Sequence, residues 1–317
     1  MIPGTSLFGS KDYNVKAMES PFPHLRKVPV FSLVLFFAFP ATCQTGDLKH
    51  HLRDQYQGKT LLLRGFYSGE KLHYDSKGAL IGGATPGDWT ADGFVVVTDL
   101  QLSKHRLAIK ARRLMVVSEQ REFRFLAETA RKPAKKAPIV KIEAELDTAQ
   151  HADSAISRLF LTPEDDFPNL VPDYWKPCVA AGLLGKDANC HFSHELQTIP
   201  GLGFSKRDAA TGSLPQERSN NPVSRLGQGI SPPKAISQPE PEFSDRARQA
   251  KYQGTTTLGL IVSKEGLPTS IRVVNPLGGG LDARAVEAVE RWRFNPAQKD
   301  GQPVAVEIMV EVDFHLY

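Results

Sequence analysis

Residues 304–316 alternate without interruption. Val304, Val306, Ile308, Val310, Val312, Phe314 and Leu316 fall on one side of an extended chain, and Ala305, Glu307, Met309, Glu311, Asp313 and His315 on the other. A period of two held over this length predicts a long β-strand with one face on a core. Thr256, Leu258, Leu260 and Val262 repeat the pattern upstream, and Lys264-Glu265-Gly266 supplies a hairpin turn into a second strand at residues 270–274. Leu281, Ala285, Val289 and Trp292 recur at helical spacing, so a helix is expected over 281–294, stopped by Asn295-Pro296. Trp292, Phe294 and Pro296 are the expected structural core of this end of the chain. One helix face laid on a small antiparallel sheet is enough to bury them.

Trp292, Arg293, Phe294, Pro296, Ala297, Asp300, Gly301, Pro303 and Val304 carry a resemblance to a known family. So do Gln253-Gly254 before the first strand and Leu281-Asp282, Ala285 and Val289 in the helix. Pro241-Glu242-Phe243-Ser244 resembles a Pro-x-Tyr-Pro opening, with Phe for Tyr and Ser for the second Pro. Residues 239–317 thus resemble the C-terminal domain of the TonB family, the periplasmic ends of energy transducers. The resemblance implies a partner: a short N-terminal peptide of an outer-membrane transporter, added as a strand. It further implies contact through the Gln-Pro segment before the domain, here Gln238 and Pro239. An inner-membrane motor complex is a further implied partner if the N-terminus is an anchor.

The same surface follows from strand physics. A terminal strand tends to lie at a sheet edge, where unpaired N–H and C=O groups accept an extended peptide. Val304, Val306, Glu307, Ile308, Met309, Val310 and Val312 are therefore the candidate partner-binding residues. Glu307, Glu311 and Asp313 would discourage indiscriminate self-pairing.

The first 43 residues read as an export leader or N-terminal anchor. Arg26 and Lys27 precede an apolar run at 28–41, and Ala41-Thr42-Cys43 offers small residues at a cleavage site. The run is shorter than the roughly 20 residues that a membrane-spanning helix needs, which favours a cleaved signal peptide. Translation starting at Met18 would give a leader of more usual length. A periplasmic, exported protein is expected, with tethering to the inner membrane as the alternative. Of three cysteines, Cys178 and Cys190 would remain after cleavage, and an oxidising compartment pairs them as a disulfide. Closing that loop is worth about 3 kcal/mol.

Residues 44–198 are expected to form an α+β domain with a mostly antiparallel sheet. A helix begins at an Asp47 cap, strands lie at 60–67, 71–74, 94–102, 107–117 and 140–146, and a helix covers 148–160. A phase slip near Arg113 suggests a bulge. Residues 199–238, rich in Pro, Gly and Ser, read as a flexible linker. The whole chain is α+β.

With 39 Lys and Arg against 35 Asp and Glu, the net charge of +4 argues against dedicated nucleic-acid binding. A basic loop, Arg131, Lys132, Lys135 and Lys136, reads as solvated, with anionic headgroups as a second reading. Cys178, Cys190, His191 and His194 invite a zinc site, but the cysteine spacing and export favour the disulfide. No nucleophile elbow, phosphate loop or zinc-protease helix is present. No enzyme activity, cofactor or metal is expected. The leading function, as the resemblance implies, is binding of an outer-membrane transporter or another periplasmic protein by strand addition, in energy-coupled transmembrane transport. The alternatives are an exported adaptor without coupling, and a ligand-binding or enzymatic domain at 44–160 targeted by the C-terminal module.

Overall fold

The computed structural model describes residues 41–126, 138–183, 190–204, 223–224, 226–227 and 229–316. The apolar run as far as residue 40, the basic loop at 131–136 and most of the linker lie outside the described residues. In chain order the main elements are α1 (Ala41–Tyr56), β1 (Thr60–Leu62), β2 (Lys71–Tyr74), β3 (Leu80–Ile81), β4 (Phe94–Leu102) and β5 (Arg106–Leu114). Then come β6 (Val116–Glu119), β7 (Glu122–Phe125), β8 (Ile139–Glu145), α2 (Ala152–Leu159), α3 (Phe167–Leu170), α4 (Lys176–Leu183), β9 (His191–Phe192) and α5 (His194–Gln197). The C-terminal part holds β10 (Ile230–Ser231), β11 (Lys234–Ser237), α6 (Asp245–Gln249), β12 (Gly254–Val262), β13 (Pro268–Asn275) and α7 (Leu281–Val289). It closes with β14 (Arg293–Asn295), β15 (Ala297–Lys299), β16 (Gln302–Val304) and β17 (Val306–Phe314). The architecture is α+β.

Six strands form the first sheet, in the order β1-β4-β5-β8-β2-β3. Its neighbours run antiparallel except β2 and β8, which are parallel. Leu72, Ile109, Val140 and Ile142 point to one face, where they bury Leu52 of α1 and Ile156 and Phe160 at α2. Alternation thus puts every second residue of three adjacent strands under the two helices. A second core is built on aromatics. The Trp89 ring lies 5.2 Å from Phe123, 5.4 Å from Phe167 and 5.3 Å from Trp175. The same cluster continues through Leu258, Leu260, Val273, Leu281 and Phe314, so one hydrophobic core joins the two halves of the chain.

Several expected boundaries move. Asp47 lies inside α1, which begins six residues earlier at Ala41, so Asp47 caps nothing. The strand at 60–67 stops at Leu62, because Gly65 turns the backbone with φ 75°. The run 107–117 is two strands in two sheets, split at Met115. The bulge sits instead in β4, between Val97 and Asp99. Arg113 is fully buried, its guanidinium donating to the carbonyls of Asp92, Tyr67 and Gly69 at 2.5, 2.7 and 2.9 Å.

The helix over 281–294 ends at Val289. Arg291 N–H and Trp292 N–H then bond three residues back, and Phe294 N–H is taken by Gly266 O at 2.9 Å. Arg293–Asn295 consequently joins a sheet with β11. The terminal alternation is likewise two strands, broken at Ala305. Asp300 and Gly301, at φ 49° and 77°, reverse the chain into the β15–β16 hairpin before β17 begins. Within the segment read as linker, β10 pairs with β15 and β11 with β14.

Candidate functional site

β17 is the outer strand of the three-stranded sheet β13-β12-β17. Its inner flank is fully paired, from Val306 opposite Val262 to Phe314 opposite Gly254. On the outer flank the described contact is at the very start: Ser224 bridges Val306 in parallel, its N–H donating to Ala305 O at 2.9 Å. From Glu307 to Phe314 no described strand pairs with that flank.

Side chains settle which way the strand faces. Val306, Val312 and Phe314 are buried, and Ile308 and Val310 pack partly against the same core. Glu307, Met309, Glu311 and Asp313 face out, and Met309 is 59 % exposed. Glu307 is held by Arg272 of β13, and Asp313 accepts from the Thr255 hydroxyl. These pairs tie β17 to β12 and β13, so they stiffen the edge strand without using its outer backbone. Carboxylates on an edge also oppose pairing with a second copy.

Trp292 and Phe294 pack together with ring centroids 6.2 Å apart, both buried. Pro296 is half-buried beside them in sequence. Trp292 Nε1 donates to Pro239 O at 3.2 Å. Gln238 is exposed. Both residues follow β11, which is tied to β14, so Gln238 and Pro239 belong to the Trp292 side of the domain. Val304 lies on β16, opposite Ala297, and not on the edge strand. The remaining candidates, Val306, Glu307, Ile308, Met309, Val310 and Val312, share β17. Cys178 and Cys190 form a disulfide, which removes both sulfurs from metal ligation.

The sequence reading missed how the domain is seated. Leu277, Gly278, Gly279 and Gly280 dock on the first half of the chain. Ser118 N–H donates to Leu277 O and Gly279 N–H to Val116 O, both at 2.8 Å, and Gly280 N–H reaches the Thr90 hydroxyl at 2.9 Å. Asp282 holds this loop from below. Its carboxylate accepts from Thr256 Oγ1 at 2.6 Å, Leu277 N–H at 2.9 Å and Gly278 N–H at 2.6 Å. Burial pushes Asp282 up to about 6, against the pull of those three donors. Burial likewise raises Asp88, which accepts from Thr90 and from Trp175 Nε1. A local glycine triplet reads as a turn; only its partner about 160 residues upstream makes it a docking loop.

The terminal part is thus a small α+β module whose outer strand, β17, has a flank unpaired from Glu307 to Phe314 among the described residues. Residues 239–316 match the family model described as the Gram-negative bacterial TonB protein C-terminal, and this part of the chain is a TonB-family C-terminal domain. Protein tonB2 of Pseudomonas aeruginosa is 35% identical over 79 residues, 25% of this chain and 29% of that protein. Protein TonB of Vibrio cholerae is 28% identical over 111 residues, 32% of this chain and 45% of that protein. Protein TonB of Escherichia coli is 24% identical over 104 residues, 32% and 42% respectively. The chain spans less than half the length of these relatives. The solution structure of the Pseudomonas aeruginosa TonB C-terminal domain aligns with 30% of this chain and 94% of its own, at 20% identity and a TM-score of 0.25.

Proposed function

We propose that this is an exported TonB-type protein whose C-terminal domain captures an extended peptide of an outer-membrane transporter along the outer flank of β17. The observation that carries the reading is the edge position of β17, fully paired to β12 on one side and, among the described residues, unpaired from Glu307 onward on the other. A visiting strand gains backbone hydrogen bonds there, and Met309 and the carboxylates beside it select among side chains. The protein works in the periplasm and takes part in energy-coupled transport. Among the described residues no helix is long and apolar enough to cross a membrane; coupling to an inner-membrane motor rests on the segment before residue 41.

The shared core and the 277–280 docking loop favour a second reading, an exported adaptor. In it the first domain is carried rigidly with the peptide-binding edge and no energy is transmitted.

Amide hydrogen exchange tests the docking mode. Adding a synthetic peptide with the N-terminal sequence of an outer-membrane transporter should slow exchange at alternate amides between Glu307 and Phe314. Protection appearing elsewhere, with those amides unchanged, would remove β17 as the docking edge.

A further inference from the structure

The six-stranded sheet has a second face. Leu72 and Tyr74, Val140, Ile142 and Ala144, and Leu107, Ile109 and Ala111 turn into the core under α1 and α2. Their alternates on β2, β8 and β5 therefore project the other way. Lys71 stands opposite Lys141 across the parallel pair, and Lys141 opposite Lys110 across the antiparallel one. Three lysines thus form one row across three neighbouring strands, spanning about 10 Å at normal strand spacing.

Like charges set directly opposite each other destabilise a sheet, so this row has a cost in the isolated protein. The nearby carboxylates do not relieve it. Glu143 is paired with Arg106 at 3.4 Å, and Glu145 lies 3.7 Å from the His73 ring, at the end of the strand beyond the lysine row. Asp99, opposite Lys110, is taken by Arg53 at 3.1 Å. Among the described residues none of the three lysines has an ion-pair partner.

Two large apolar side chains share the face. Ile139 lies two residues before Lys141 on β8, and Ile81 of β3 stands opposite His73. They are 46% and 45% exposed. Between β2 and β8 an open hollow of about 340 Å³ is lined by Lys71, Leu72, His73, Lys141 and Glu143. Ammonium groups in a row beside protruding isoleucines match a layer of anionic headgroups above hydrocarbon.

On β1, β4 and β5 part of this second face is covered, since Leu62, Phe94, Val96 and Leu114 pack into the aromatic core; the β2–β8–β5 part that carries the lysines is exposed among the described residues. We propose that this exposed part docks on an anionic lipid bilayer, with Lys71, Lys110 and Lys141 on the headgroups and Ile81 and Ile139 entering between them. An acidic protein would use the lysine row but has no use for isolated isoleucines flanking it. The face lies on the first domain, so docking there leaves the β17 edge to its own partner.

The test is co-sedimentation of the full chain with vesicles of phosphatidylcholine, with and without phosphatidylglycerol. The variant Lys71→Gln/Lys110→Gln/Lys141→Gln is compared with the parent, and each is also tested with the leader through Cys43 removed; the leaderless pair decides, because binding through the apolar segment 28–41 is then excluded. The expected result is salt-sensitive binding to phosphatidylglycerol vesicles that falls by roughly 100-fold in the triple variant. Ile81→Ser/Ile139→Ser should weaken binding in high salt as well as low. The triple variant should melt no lower than the parent, because it removes opposed like charges. Equal binding of parent and triple variant overturns the proposal, as does equal binding to neutral vesicles or no binding at low salt. Capture of polyglutamate without capture of vesicles reassigns the face to an acidic protein and also overturns it.

Discussion

Arg246, on the helix that opens the C-terminal domain, meets the Asp92 carboxylate of the first half of the chain at 3.4 Å, across 154 residues of sequence. The same carboxylate oxygen lies 3.6 Å from Arg113. One anion is therefore shared by two cations, one from each half of the chain. Burial lowers both guanidinium pKa values, that of Arg113 to about 10, and the Asp92 charge opposes the shift.

Removing the anion should cost more than removing either cation. Asp92→Ala leaves two buried guanidiniums facing each other, and breaking a buried pair in this way costs about 3–5 kcal/mol. Arg246→Met added to Asp92→Ala should recover part of that loss. Urea unfolding of the two single variants and the double variant measures it; strict additivity would mean that the pair is not coupled.

Gly278 has φ 85°, and a Cβ there would sit 2.6 Å from Val116 O and 2.7 Å from Val117 Cα. Gly278→Ala therefore meets both a left-handed backbone cost and a clash with backbone that cannot swing away, together about 2–4 kcal/mol. Gly301, at φ 77° with nothing within 4 Å of its Cβ, is the control. Gly301→Ala should cost only about 1–2 kcal/mol. Melting curves of the two variants should differ clearly.

Asp282 makes stability depend on pH. Its carboxyl is fully buried and titrates at about 6 against an ordinary 3.8, so between those values the folded chain holds a proton that the unfolded chain has released. Its contribution is fully present below about pH 4 and is lost as pH rises through about 6, a change on the order of 3 kcal/mol. Asp88, raised in the same direction, adds to the slope. Denaturation midpoints measured from pH 4 to 7.5 should fall on this account, and Asp282→Asn should flatten the profile. An equally steep profile in Asp282→Asn would place the titrating group elsewhere.

The Cys178–Cys190 disulfide closes a loop with a sequence separation of 12, on the face of the aromatic core at Trp175 and Phe192. Cys178→Ala/Cys190→Ala should lower stability by about 3 kcal/mol. A thiol assay on the denatured chain without its leader should find no free sulfhydryl from either residue.

Legibility in the sequence followed locality. Lys71–Tyr74 and Phe94–Leu102 fold as strands where the sequence places them, because a β-rich run bounded by turn residues is a local signal. Most of strand β17 was readable for the same reason. Arg113 was not: a buried arginine whose terminal guanidinium nitrogens are held by three carbonyls of distant residues looks, in sequence, like a slip of phase in a strand. The short strands β7, β9 and β11 were invisible as well. Each has at most four residues; β9 and β11 pair with segments far along the chain, so no window contains their pattern, and β7 forms a short hairpin with the adjacent β6. The end of α7 was misplaced because helical spacing continued to Trp292, while Gly266 O drew Phe294 into an extended backbone.

That displacement changes what Trp292 does. Lying beyond the helix, its indole packs on Phe294 and its Nε1 holds Pro239 O, so it pins the start of the domain to β14 while filling the core. Trp292→Ala should destabilise by about 3–5 kcal/mol. Trp292→Phe keeps most of the apolar contact and loses the hydrogen bond, at a cost of about 1 kcal/mol. The two roles separate in hydrogen exchange. Trp292→Phe should speed exchange in Lys234–Ser237 while leaving β12 and β17 protected, because only the link to Pro239 is cut. Trp292→Ala should speed exchange through β12 and β17 as well. If Trp292→Phe leaves the amides of β11 as protected as in the parent, the indole N–H does not anchor the segment leading into the domain.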